Sequence, residues 1–360
     1  MRELPPPPPL SHLHSVLQAG RFAVTAEVGP PRGSDPEVVR RKARLVRGWV
    51  DAVNVTDGQS AVVRMASWAG SVVAMSEGLE PVMQLQCRDR NRIALQADLL
   101  GASAVGIPNV LLLTGDHMRF GDHPDAKGVF DLDSVQLCWM AATLRDRRVL
   151  LSGRRLSSAP RWLIGAVENP FAPPHRFRAV RLAKKVAAGA QFVQTQYVFD
   201  VQTFAAFMRE VCDLGLTERC SILAGVGPIK SLRSLEVMSN EVPGLVVPDE
   251  VSRRLRGVPE ERVAEEGIKL CAETIEAVRA IEGVAGIHIM AFGNEEAIPE
   301  VLELAQCAPG DRAPGDRASR GRAPGATPDP DGRGGPTNGA AKHPGVDGGH
   351  LAVEAAGNEA

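Results

Sequence analysis

Eight short apolar runs recur through residues 22–290 of this 360-residue chain, and each hands over to a polar residue and then to glycine, proline or a helix-like stretch. The runs span 22–27, 51–56, 82–87, 110–116, 162–166, 192–196, 222–226 and 286–290. Between and after them, helix patterning is read over 35–47, 66–77, 91–101, 134–145, 176–188, 201–214, 230–240, 260–281 and 295–304. Strands and helices that alternate at this length imply parallel strands joined by crossovers. An open doubly wound sheet has the same rhythm. Eight repeats, and no GxGxxG after the first run, favour the closed α/β form, a (β/α)8 or TIM barrel.

A barrel of about 250 residues with insertions accounts for most of the chain as one domain. The expected organisation is a flexible arm over 1–19 with a proline run at 5–9, a barrel over 20–306, and a disordered Gly/Pro/Ala-rich tail over 307–360 in which APGDRA occurs twice. The 248–282 region reads as two successive helices before the last strand. Hydrophobic residues make up 44% of the chain, enough for a large core, yet the apolar stretches fall short of the roughly 18 residues of a membrane span. A net charge of -2 without a basic stripe argues against nucleic acid. Six scattered cysteines with no CxxC pair read as reduced thiols in a cytoplasmic protein, with a catalytic role conceivable for Cys87 at a strand end.

Barrels of this kind carry their chemistry at the C-terminal ends of the strands. Here those ends offer Glu27, Thr56, Asp116 and Gln196. A carboxylate ending a buried strand is desolvated, so Glu27 would hold its proton to higher pH, which suits a general acid; a rim glutamate paired with Arg32 is the alternative. Asp116 follows Gly115, whose missing side chain lets a ligand approach, and its carboxylate could take paired hydrogen bonds from an amino-substituted heterocycle; a turn or cap Asp is the alternative. Gln196 offers a donor and an acceptor to a ligand edge. Lys184 and Lys185 close a helix and suit either its dipole or a phosphate. The charged turn 87–92 could bind an anion or satisfy itself. The spacing of His117 and His123 matches no common ligand pattern, so no metal is expected.

Taken together, TAEVGPPRG at 25–33, DAVNVTDG at 51–58, CRDRNR at 87–92, LLLTGD at 111–116, GDHPDAKGVFDLDS at 121–134, KKVAAGAQFVQTQYVFD at 184–200 and GIHIMAFGNEEA at 286–297 resemble the methylenetetrahydrofolate reductase family. The RDRN and TGD…GD…GVFD segments look most like the reductase halves of bacterial proteins that fuse this domain to a homocysteine methyltransferase. The resemblance covers roughly 20–305 and implies a (β/α)8 flavoprotein of one-carbon and methionine metabolism. Such a protein binds FAD and passes a hydride from NADH or NADPH to methylene-tetrahydrofolate. By the same resemblance Glu27 is the acid that helps open the folate ring, Asp116 the carboxylate beside flavin and pterin, and Gln196 the residue shared by folate and nicotinamide. Thr56, Thr114, Gly115, Lys184 and Lys185 fall where the family holds flavin.

The sequence departs from the family pattern at Gln84, where a flavin-contacting histidine stands in better-known bacterial members, and at Asn169, which replaces a tyrosine or similar residue. Arg178 stands near a flavin-binding aspartate of the family, and Leu232 near a phenylalanine that stacks on folate. Gln84 and Asn169 remain cofactor-side candidates. These departures motivate two alternatives, a reductase fed by an electron-donor protein and a non-catalytic folate-binding barrel. Association into a homo-oligomer is left open.

Overall fold

The computed structural model describes residues 8–309 apart from 241 and 243. Eight parallel strands close into one barrel in sequence order: β1 (Ala23–Val28), β2 (Ala52–Val55), β3 (Pro81–Gln86), β4 (Asn109–Leu113), β5 (Leu163–Glu168), β6 (Phe192–Tyr197), β7 (Ser221–Val226) and β8 (Val284–Ile289). The last strand pairs with the first, Ala23 opposite Gly286. All eight expected strands are present. The helices are α1 (His12–Gln18), α2 (Pro36–Val46), α3 (Ser67–Ser76), α4 (Arg92–Ala104), α5 (Ser134–Ala142), α6 (Arg178–Ala187), α7 (Val201–Asp213), α8 (Leu232–Asn240), α9 (Asp249–Arg256), α10 (Val263–Arg279) and α11 (Ile298–Leu304). The pair α9 and α10 is the doubled helix read before the last strand.

Helix starts follow local capping chemistry. Asp35, Asn91 and Asp133 accept hydrogen bonds from the otherwise unpaired first-turn N–H groups of α2, α4 and α5. Asp133 and Gln136 exchange bonds as a capping box.

Side chains alternate across each strand, so residues two apart share the barrel interior. One interior layer is apolar: Ala23, Ala52, Val82, Leu111, Leu163, Phe192 and Leu223 pack as one cluster. Two residues toward the C-terminal ends the layer turns polar. Gln194 Nε2 donates to Asn54 Oδ1 at 3.0 Å and to Thr25 Oγ1 at 3.1 Å, and Thr25 Oγ1 lies 3.0 Å from His288 Nδ1. Two residues further on come Glu27, Thr56 and Gln196 at the mouth.

The structure corrects the expected flexible arm. Residues 12–18 form α1, whose Leu13 and Val16 are buried in the apolar floor cluster. Glu80 fixes the helix start, accepting from the N–H groups of His12 at 2.6 Å and Leu13 at 2.9 Å. Residues 5–7 of the proline run at 5–9 lie outside the described residues. At the other end Cys307 is buried and its N–H donates to Leu302 O, so ordered structure reaches past the expected boundary at 306. The tail beyond residue 309 lies outside the described residues. Among the described residues no helix is long and apolar enough to cross a membrane.

Candidate active site

A cavity of about 430 Å³ opens at the C-terminal ends of the strands. Its wall includes Glu27, Gln84, Thr114, Gly115, Asp116, Asn169, Lys185 and Gln196, eight of the residues singled out in the sequence. They come from strands one, three, four, five and six and from α6, far apart in the chain.

Glu27 is 9% exposed at the end of β1. Burial pushes its carboxyl up to about 7; the side-chain hydrogen bond from Gln59 and the charges of Lys42 and Arg64 oppose this, while the Glu295 carboxylate adds to it. Lys42 Nζ and Glu295 Oε1 are 2.7 Å apart, a half-buried pair flanking the acid. A carboxyl held near neutrality in this way can donate a proton at physiological pH.

Asp116 is exposed at the mouth and caps no helix; its Oδ2 accepts from the Ser60 N–H at 2.9 Å. Gly115 before it has φ +91, and a side chain there would run into Gln86 Oε1. Glycine is therefore favoured by the backbone, and any side chain would also have to displace the Gln86 amide. Gln196 lines the wall, its Oε1 taking the N–H of Tyr197 at 3.0 Å. The Tyr197 ring is buried between Phe199 and Phe292, and its hydroxyl donates to Met290 O.

Lys184 and Lys185 separate, as successive helix residues must. Lys185 turns inward to Val167 O and to Glu168 Oε2, the latter at 2.9 Å. Lys184 is exposed, with its ammonium 5.4 Å from the Phe177 ring centre, and is not part of the cavity wall. Thr56 is also outside the wall. It is 1% exposed, and its Oγ1 is buried without a hydrogen-bond partner. Asn169 borders the cavity, yet its amide is engaged by Gly244 O at 2.8 Å and by the Phe171 N–H at 3.0 Å.

Among the wall residues that escaped the sequence reading are Glu168, Arg181, Gln194 and His288. Glu168 was missed because strand five was ended at 166, whereas β5 continues to the carboxylate. An acid closing the run before Asn169-Pro170 was the available signal. Gln194 and His288 share the interior parity of neighbouring mouth and floor residues. Burial pushes the His288 imidazole down to about 3, so it is neutral. Arg178 NH1 lies 3.7 Å from Glu168 Oε1, and Arg181 makes no ion pair among the described residues. Arg178, Arg181 and Lys185 thus set three cations against one carboxylate on a single wall.

Other candidates resolve differently. The arginines of the 87–92 turn are already taken by carboxylates, only one of them within the turn: Arg88 pairs with Asp89 at 2.7 Å, Arg90 with Asp57 at 2.7 Å and Arg92 with Asp131 at 2.7 Å. Cys87 is fully buried, and burial pushes its thiol up to about 12, so it is no nucleophile. Among the described residues no group of three or more His, Cys, Asp or Glu side chains could hold a metal.

Comparison with known proteins bears on the same residues. A "Probable methylenetetrahydrofolate reductase (NADPH)" of Caenorhabditis elegans is 24% identical over 287 residues, covering 77% of this chain and 41% of that protein. A "5,10-methylenetetrahydrofolate reductase" of Pectobacterium carotovorum subsp. carotovorum is 24% identical over 287 residues, covering 77% and 88%. The chain spans 41% and 49% of the C. elegans and Arabidopsis thaliana relatives it matches. A solved barrel from Clostridium thermocellum, described as binding two copies of 5-methyl-5,6,7,8-tetrahydrofolic acid, superposes with a TM-score of 0.62 at 11% identity, covering 81% of this chain and 99% of that one. At that identity it speaks for the fold alone. The family model described as "Methylenetetrahydrofolate reductase" matches residues 12–149 and 157–306, which include all of the cavity wall, and the chain belongs to the methylenetetrahydrofolate reductase family.

Proposed function

We propose that this protein is a cytoplasmic reductase that converts 5,10-methylenetetrahydrofolate to 5-methyltetrahydrofolate with NADH or NADPH and FAD. The observation that carries the reading is the placement of Glu27, with its carboxyl near 7, on one cavity wall with Asp116 and Gln196.

The folate's one-carbon bridge joins two nitrogens. Proton delivery from Glu27 to one of them lets its C–N bond break, with the electron pair leaving on that nitrogen. The carbon remains as an iminium cation able to accept a hydride. Asp116 would take the amino and ring N–H groups of the pterin, and Gln196 would align the ligand edge through its free amide N–H. Burial of the Glu27 carboxyl keeps its proton available for this nitrogen rather than for water.

The donor set fits a flavin with a diphosphate. Three cations against one carboxylate on the α6 side suit a doubly charged anion. Arg178, Arg181 and Lys185 would hold the diphosphate, and Gln84, Thr114 and Gly115 would border the ring system. Bound there, a flavin supplies hydride transfer between reduced nicotinamide and the folate.

The test is to load the purified protein with FAD and follow nicotinamide oxidation on addition of methylene-tetrahydrofolate. Glu27→Gln should lower kcat by about 10²- to 10⁴-fold with folate binding retained. Full turnover in that variant removes the acid role, and no oxidation by the loaded parent protein removes the reductase reading.

A further inference from the structure

Arg88 follows β3 and is only 4% exposed, so its charge is held almost out of water. Asp89 neutralises that charge: Nε donates to Oδ1 at 2.7 Å and Nη2 to Oδ2 at 2.8 Å. The remaining N–H groups serve two backbone carbonyls from different loops. Nη1 donates to Gly58 O at 3.3 Å and to Asp116 O at 3.2 Å, and Nη2 also reaches Gly58 O at 3.3 Å. The Arg88 carbonyl in turn accepts from the Val129 N–H at 2.7 Å. One residue thus ties the loop after β2 to both ends of the loop after β4.

Beside the clamp lies the Gln59–Ala61 turn, a 3-10 segment after β2, and the N–H of its Ser60 donates to Asp116 Oδ2 at 2.9 Å. Ser60 and Ala61 both have φ +57, in the left-handed region, although neither is glycine. Such geometry persists only where the surroundings over-determine it, and it concentrates at functional sites. The surroundings here are specific. Arg88 grips Gly58 ahead of the turn and Asp116 across from it. Gly58 leaves the room for this, since a Cβ on it would lie 2.8 Å from Arg88 Nη2. Further out the two loops meet again: the N–H of Val63 reaches Asp122 Oδ2 at 3.2 Å, and a side chain on Gly121 would strike Ala61 O.

We propose that Arg88 is a positioning residue for Asp116: by clamping the carbonyls of Gly58 and Asp116 it sets the Ser60 N–H against one carboxylate oxygen, and so fixes the plane in which that carboxylate meets the pterin. This rests on the reading of Asp116 as the pterin's carboxylate. The bond from Ser60 takes one of about four acceptor positions on the two oxygens, which leaves the others for the amino and ring N–H groups of the ligand. A planar guanidinium with five N–H donors holds the Asp89 carboxylate and two carbonyls at once. An ammonium, a point charge on a flexible stem, does not.

The experiment is a double-mutant cycle on the affinity of the full-length, FAD-loaded protein for 5-methyltetrahydrofolate, read by isothermal titration calorimetry. Arg88→Lys keeps the charge and loses the fork. It should raise the Kd by about ten-fold in the parent background and by less than about two-fold in an Asp116→Ala background, where no carboxylate is left to position. Gly58→Ala, whose methyl group would push the guanidinium aside at a φ close to the one Ala61 already holds, should give the same pattern and serves if the lysine variant is poorly folded. An Arg88→Lys loss that persists undiminished beside a weakened Asp116→Ala overturns the positioning role alone, because a merely structural arginine would act in both backgrounds. An unchanged Kd in the folded single variants overturns it as well. If Asp116→Ala binds like the parent, the carboxylate reading falls and takes the positioning role with it.

Discussion

Lys185 Nζ lies 2.9 Å from Glu168 Oε2 at the cavity wall, with 3% of the lysine side chain and 1% of the glutamate side chain exposed. Burial pushes the ammonium pKa down, and Glu168 opposes that shift. Removing one partner of such a pair strands the other charge in a medium that solvates it poorly. Glu168→Ala leaves Lys185 beside Arg178 and Arg181 with no carboxylate, and should lower the unfolding free energy by about 3–5 kcal/mol in urea denaturation. The double variant Glu168→Leu with Lys185→Met should recover most of the loss, since an apolar pair needs no desolvation. Equal losses in single and double variants would show that the charges are not what matters there.

The floor of the barrel makes a second prediction. Leu13 is fully buried against interior residues of several strands, although it precedes the first of them. Leu13→Ala opens a cavity in a layer that cannot close over it, and should cost about 2–5 kcal/mol in the same measurement. A loss under 1 kcal/mol would mean that α1 contributes little to closing the barrel.

The strands were legible because a buried parallel strand is a run of apolar residues, and a run needs no tertiary knowledge to be seen. The site was legible where such a run ended on a polar side chain, as at Glu27 and Gln196. Glu168 and His288 show the limit of that signal: one lay two residues past the assumed end of its run, and the other lies inside one. Lys184 and Lys185 show another limit. Adjacent residues share composition and differ by about 100° around the helix, so only the helix's seating on the barrel selects the inward one. The helix α1 was hidden because it is too short for periodicity to register, and what makes it stable is a floor built by strands up to two hundred residues away. The Gln59–Ala61 turn carried no signal at all, since nothing in serine or alanine announces a left-handed backbone.

Arg181 and Lys184 make a third prediction, which is a contrast. Arg181 borders the cavity and makes no ion pair among the described residues, and Lys184 lies over Phe177 outside it. If the cationic wall holds a diphosphate, Arg181→Ala should raise the flavin Kd by roughly ten- to a hundred-fold, the equivalent of about 1.5–3 kcal/mol for a charge-assisted bond. Lys184→Ala should leave it within about two-fold, because a cation facing water is screened by salt. Equilibrium dialysis of FAD against both variants measures the difference, and equal effects would take the diphosphate off this wall.

Glu27 and His288 titrate in opposite senses, which makes the pH dependence of stability a test of both environments. Glu27 moves from 4.5 to about 7 on folding, so its contribution is complete below pH 4.5 and is lost as pH rises to 7. His288 moves from 6.5 to about 3, so its contribution is present above pH 6.5 and is lost as pH falls to 3. Each slope is about 1.4 kcal/mol per pH unit, and between pH 4.5 and 6.5 they oppose one another. Glu27→Gln keeps the shape and removes one slope. Its stability relative to the parent should therefore climb with pH across that window, by about 3 kcal/mol in all by pH 7. His288→Asn should do the reverse, falling relative to the parent as pH rises from 3 to 6.5, whatever its constant offset from the lost contact with Thr25. Urea denaturation at half-unit pH steps reads the slopes directly; a Glu27→Gln curve parallel to the parent would place that carboxyl in an ordinary, ionised state and undo the case for it as the acid.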